Sequence, residues 1–150
     1  MTGRFATEVQ LAAFAAALSG DHITDAERAI IGDRLPTVTA SERRELSANL
    51  ARGIDRLGDA FATLRSSELR RKNGATYTPS VVVNAMTEWA LHQKIDPKRI
   101  VDAGAGSGRY SIAAARAFPN ATIVAIENDP LAALVLRANA TLFGITERID

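Results

Sequence analysis

Ile100-Val101-Asp102-Ala103-Gly104-Ala105-Gly106-Ser107-Gly108 is an apolar run that ends in a carboxylate and opens into three glycines at alternate positions. Arg109 to Phe118 then has the pattern of a helix, so the stretch predicts a strand, a tight turn and a helix start. Such a turn brings bare backbone N–H groups and a positive helix end up to a ligand, because glycine adds no side chain and tolerates positive φ. It suits an adenosine-bearing cofactor. The dinucleotide fingerprint asks for a third glycine after two intervening residues, and Arg109 occupies that position, which disfavours nucleotide phosphate binding.

Downstream, Pro119-Asn120 marks a turn, and Ala121 to Ile126 is a continuous apolar run, as a parallel strand covered on both faces would be. Asp129-Pro130 opens a further helix through Leu142, with Gly144 at its C-terminal turn. Strand, helix, strand, helix makes a right-handed parallel unit with adjacent strand tips side by side. Glu127, at the second tip, then faces the same crevice as the glycine turn, where acceptors can grip ribose hydroxyls. As a plain alternative it is a solvent-facing acid. Ile145 to Asp150 reads as the approach to a third strand.

Upstream, the pattern is helical. Phe5 to Leu18 carries Phe5, Val9, Ala12 and Ala16 on one side, and Ser19-Gly20-Asp21 ends it. Thr24 and Glu27 have capping-box spacing before a short helix to Arg34 that Pro36 closes. A long helix is predicted from about Ser41 to Lys72, with Leu46, Leu50, Ile54, Leu57, Phe61 and Leu64 as one seam packing within the chain or against a partner. Arg43, Arg44, Arg52, Arg56 and Arg65 alternate with Glu42, Glu45, Asp55 and Asp59, the mark of a solvated outer face. Arg70, Arg71 and Lys72 suit its C-terminal end. Thr78 is placed as an N-cap and Pro79 as the first residue of a helix whose inner face is Val81, Val82, Ala85, Met86 and Trp89.

Bulk properties narrow the partners. The 150 residues are enough for one ordinary domain, and 18 Lys and Arg against 17 acidic residues leave a net charge of +1, so no global field argues for nucleic acid. Cysteine is absent, which excludes disulfides and thiolate metal sites and fits a cytoplasmic location. His22 and His92 are isolated, so no metal site is expected. The alanine-rich run Val9 to Leu18 is interrupted by Gln10 and too short to span a bilayer.

Asp-x-Gly-x-Gly-x-Gly over Asp102 to Gly108 resembles the cofactor loop of class I S-adenosylmethionine-dependent methyltransferases. Gly74-Ala75-Thr76-Tyr77-Thr78-Pro79 before a helix, then Val101 to Gly108, then Glu127-Asn128-Asp129-Pro130, resemble the DNA adenine methyltransferases of restriction-modification systems. The resemblance extends from about Arg71 to Gly144. It implies a Rossmann-like α/β sheet, of which two to three parallel strands are present, in residues 73–150, preceded by an all-helical extension in residues 1–72. It implies S-adenosylmethionine as cofactor, with Tyr77, Thr78 and Pro79 at its methionine end, Asp102, Gly104, Ala105, Gly106 and Gly108 beneath it, and Glu127 on the ribose. Asn128 stands where the family usually sets an apolar residue against the adenine, and Ala103 where it often has proline.

These enzymes also carry an Asn/Asp-Pro-Pro-Tyr/Phe loop that handles the flipped base, and no such sequence occurs among the 150 residues. The chain is therefore expected to be an N-terminal fragment that is inactive alone, with no catalytic residue of its own and with DNA as a partner of the parent protein. The Leu46 to Leu64 seam is a candidate for contact with a partner subunit or a second copy. Methylation of RNA, protein or a small molecule, and a non-catalytic helical assembly or regulatory module, are the alternatives.

Overall fold

Side-chain caps set most of the helix starts. In the computed structural model, which describes residues 4–20, 23–65 and 78–150, the Thr7 side chain accepts from the Gln10 amide at the head of α1, Glu8–Ser19. Thr24 and Glu27 form the predicted capping box before α2, Asp25–Arg28, which stops well short of Arg34. A second box, Thr39 with Glu42, opens α3, Ala40–Ala51.

Over its described residues, the long helix predicted from Ser41 to Lys72 is two helices. Gly53 takes a φ of +77°, which leaves the helical path. Asp55 then accepts from the Gly58 amide at 2.8 Å and starts α4, Arg56–Leu64. Arg70, Arg71 and Lys72 lie outside the described residues, as do His22 and Tyr77. Pro79, rather than Thr78, occupies the N-cap of α5, Ser80–His92, and no side chain caps that helix.

The remaining elements follow the predicted order: β1 Arg99–Ala103, α6 Arg109–Ala117, β2 Thr122–Ile126 and α7 Pro130–Phe143. Asp129 caps α7, and Gly144 closes it in the left-handed conformation. The two strands are parallel, with Arg99 opposite Thr122 and Ala103 opposite Ile126. Past a single 3₁₀ turn at Thr146–Arg148, Ile149 bridges Ile123 in parallel, the Asp150 amide donates to the Ile123 carbonyl, and Asp150 accepts from the Ala125 amide. A third parallel segment thus begins alongside β2.

The larger core joins the N-terminal helices to α7. Leu11 and Phe14 of α1, Leu46 of α3, Leu57 and Phe61 of α4, and Leu131, Leu134 and Val135 of α7 pack together. Burying a side chain of this kind contributes about 2 kcal/mol, so α7 binds the helical segment to the strand unit. Leu50, Ile112, Ala115, Ile123 and Ala140 form a second cluster over one face of the sheet.

The opposite face departs from expectation. Ile100 and Ile123 are paired in register and lie toward the helices, while Val101 and Ile126 are 58% and 56% exposed. The strands are covered on one face rather than both. The apolar stripe of α5 is likewise turned to solvent: Val81 and Trp89 are 70% and 66% exposed, and Val83 is the buried residue of that helix. The expected inner face of α5 is an outer one.

Candidate functional site

The three glycines of the turn all lie in the left-handed region, Gly104 at φ +78°, Gly106 at +56° and Gly108 at +85°. A β-carbon at Gly104 or Gly106 would meet nothing within 4 Å, so both present bare backbone to open space. At Gly108 it would lie 3.0 Å from Cγ of Leu136, so the third glycine lets α6 start close against α7.

The turn's N–H groups are not left bare. Gly104 and Ala105 both donate to the Ile126 carbonyl, at 2.8 and 3.0 Å, which ties the turn to the tip of β2. Gly106 donates to Oε2 of Glu127 at 2.8 Å, and the other oxygen of Glu127 accepts from the amides of Asn128 and Asp129. The carboxylate predicted to share a crevice with the glycines is therefore hydrogen-bonded to the middle one. A phosphate brought to this turn would meet that negative charge, whereas a ligand offering hydroxyl donors would meet acceptor lone pairs.

Asp102, at the end of β1, accepts from the buried Ser111 hydroxyl at 2.6 Å, which fixes strand end and helix start together. Thr78 is brought to the same region, since its carbonyl accepts from Arg109 at 3.2 Å. Asn128 is exposed and borders a broad depression with Glu8, Ile30, Arg65 and Asp129. Glu127 borders another, of about 400 Å³, with Leu136, Arg137 and Asp150. The structure thus gathers Thr78, Asp102, Gly104, Ala105, Gly106, Gly108, Glu127 and Asn128 around the ends of β1 and β2, with Pro79 next to Thr78 at the head of α5.

Sequence reasoning missed the underside of the turn. Asp55, counted among solvated acids, is 4% exposed, and its carboxylate accepts from Ser107, Arg109, Asn139 and the Gly58 amide. Arg65 and Arg43 are also drawn inward. Arg65 pairs with Glu8 at 2.9 Å and with Asp129, and Arg43 donates to the last carbonyls of α1. Burial opposes the Arg65 charge, but the two carboxylates outweigh it and hold its pKa above the ordinary arginine value. A glycine two residues before an Asp-x-x-Gly start was the available signal for the break at Gly53 and the cap at Asp55.

No cluster of His, Cys, Asp or Glu that could hold a metal ion occurs among the described residues, and no helix among them is long and apolar enough to cross a membrane. No family model matches the chain, and no solved structure matches it significantly. Curated relatives do. The type II methyltransferase M.XamI of Xanthomonas campestris pv. amaranthicola is 56% identical over 75 residues, half of this chain and 14% of its own length. The release factor glutamine methyltransferase of Gloeobacter violaceus is 41% identical over 51 residues, 34% of this chain and 18% of its own length. The methyltransferase str2 of Strobilurus tenacellus is 35% identical over 83 residues, 43% of this chain and 30% of its own length. The chain spans less than a third of each. Within that span its sequence is similar to those of methyltransferases, and the resemblance to the methyltransferases of restriction-modification systems is supported by the Xanthomonas relative.

Proposed function

We propose that this chain forms the S-adenosylmethionine-binding part of a DNA methyltransferase that modifies the exocyclic amine of adenine in a restriction-modification system. The observation that carries the reading is the hydrogen bond from Gly106 to Glu127, which sets an acceptor pair beside open glycine backbone. Such a turn suits a ribose and rejects a phosphate. The 56% identity to a type II methyltransferase over half the chain supports the choice within methyltransferases.

In this reading Gly104 and Gly106 let the cofactor lie against the main chain, and Glu127 accepts from the ribose hydroxyls with the lone pairs its backbone donors leave. Asp102 holds the start of α6 through Ser111, and Thr78 and Pro79, near Arg109, stand toward the methionine end. Bound there, S-adenosylmethionine supplies a methyl group activated by its sulfonium. Orientation of that methyl toward the amine is the main contribution asked of the protein. The acceptor side falls to an Asn/Asp-Pro-Pro-Tyr/Phe loop, a sequence these 150 residues do not contain, so the chain alone is predicted to show no methyl transfer.

Calorimetry with S-adenosylmethionine on the chain and on Gly106→Val tests this. Binding by the parent chain that the valine abolishes is the expected result. Absence of heat from both proteins contradicts the cofactor reading, and methylation of DNA by the 150 residues alone contradicts the predicted inactivity.

A further inference from the structure

The loop's free side faces open space, but its other side is held by a residue from the helical segment. Ser107, between Gly106 and Gly108, is 2% exposed and points inward, where its hydroxyl donates to Oδ2 of Asp55 at 2.5 Å. Arg109, the first residue after the turn, donates to the same oxygen at 3.3 Å. The other oxygen of Asp55 accepts from the Gly58 amide at 2.8 Å and from Nδ2 of Asn139 at 2.9 Å. Asn139, on α7, also donates to the Ser107 carbonyl at 3.0 Å. One buried carboxylate therefore joins the α3–α4 break, the glycine turn, the head of α6 and the middle of α7.

We propose that Asp55 is a positioning residue for the cofactor site: through Ser107 and Arg109 it sets the shape of the glycine turn, so the helical segment controls cofactor affinity without touching the cofactor. This rests on the cofactor reading above. The chemistry demands an acid. Four donors from the described residues converge on its two oxygens, and an asparagine would turn its NH₂ against either the Gly58 and Asn139 donors or the Arg109 guanidinium, with only the Ser107 hydroxyl able to turn and accept. The amides of Gly104, Ala105 and Gly106, bonded to Ile126 and Glu127, report whether the turn keeps its shape.

Asp55→Asn and Ser107→Ala are compared with Glu27→Gln. The control changes a buried carboxylate 2% exposed, paired at 2.8 Å with Arg137, which is two residues from Asn139 but on another face of α7. Asp55→Asn is expected to speed hydrogen exchange at Gly104 to Gly106 and to weaken S-adenosylmethionine binding about tenfold. Ser107→Ala reproduces part of both effects with the Gly58 cap intact, and it decides the matter if Asp55→Asn fails to fold. Glu27→Gln lowers stability but leaves both readouts at the turn unchanged. Equal effects from the control, or turn exchange unchanged in Asp55→Asn and Ser107→Ala, would overturn the proposal. If the parent chain takes up no cofactor, the functional reading fails and the exchange arm still judges Asp55.

Discussion

The two sides of the strand unit meet opposite fates. On one side α7 and the N-terminal helices close over Leu11, Phe14, Leu134 and Val135, each at most 2% exposed. On the other, Val101 and Ile126 of the strands stand in solvent, as does the Val81 to Trp89 stripe of α5, which flanks α6. Both sets are apolar and both keep the period of their element. Periodicity says which face of an element is apolar, and only the rest of the fold says whether something covers it.

Truncation gives the largest separation of the enclosed and exposed apolar sets. Leu134→Ala, at a residue fully enclosed by the larger core, is expected to cost about 3 kcal/mol in urea unfolding. Trp89→Ala, despite the greater volume removed, should change stability by no more than about 0.5 kcal/mol. Comparable losses from both would show that α5 is packed in solution.

The glycines sharpen the contrast on a finer scale. Gly108→Ala suffers both its positive φ and the approach of Leu136, for a cost of about 2 kcal/mol. Gly106→Ala suffers the φ alone, about 1 kcal/mol, because its β-carbon enters open space. Thermal melts of the two variants should therefore order as Gly106→Ala above Gly108→Ala, and the reverse order would place the crowded side of the turn wrongly.

The smallest effect is expected at the rim of the closed side. The capping hydrogen bonds from Thr39, with help from Arg4, hold the Glu42 carboxyl below its ordinary pKa. A carboxylate depressed in the folded state contributes stability that is present at neutral pH and is lost as pH falls through its folded value. Glu42→Gln should flatten the acid limb of the stability profile slightly and lower the neutral region only by the lost charge, because a glutamine can still accept from the Thr39 amide. An unchanged acid limb would show that the capping box is not populated in solution.

Residues with local chemistry were legible before the fold. The Thr24–Glu27 box, Asp129 as cap, Gly144 as terminator and the strand, turn and helix around Asp102 to Gly108 depend on neighbours in sequence, and all formed. The Ser41 to Lys72 helix was misread because its apolar spacing continues across Arg52 to Asp55, while the break depends on Gly53's backbone and on partners for Asp55 that lie 52 and 84 residues away. Asp55 looked like one more surface acid for the same reason. The juxtaposition of Glu127 with the glycine turn was readable from topology, as was its use as an acceptor, but not that its carboxylate would also accept the Gly106 amide and so be tied to the turn.

Amide chemical-shift mapping during titration with S-adenosylmethionine tests the cofactor site most directly. The account predicts the largest shifts at Gly104, Gly106 and the Glu127 to Asp129 amides, with residues 11–18 of α1 unmoved. No perturbation at saturating cofactor, or shifts centred on α1 with the turn unaffected, would contradict it.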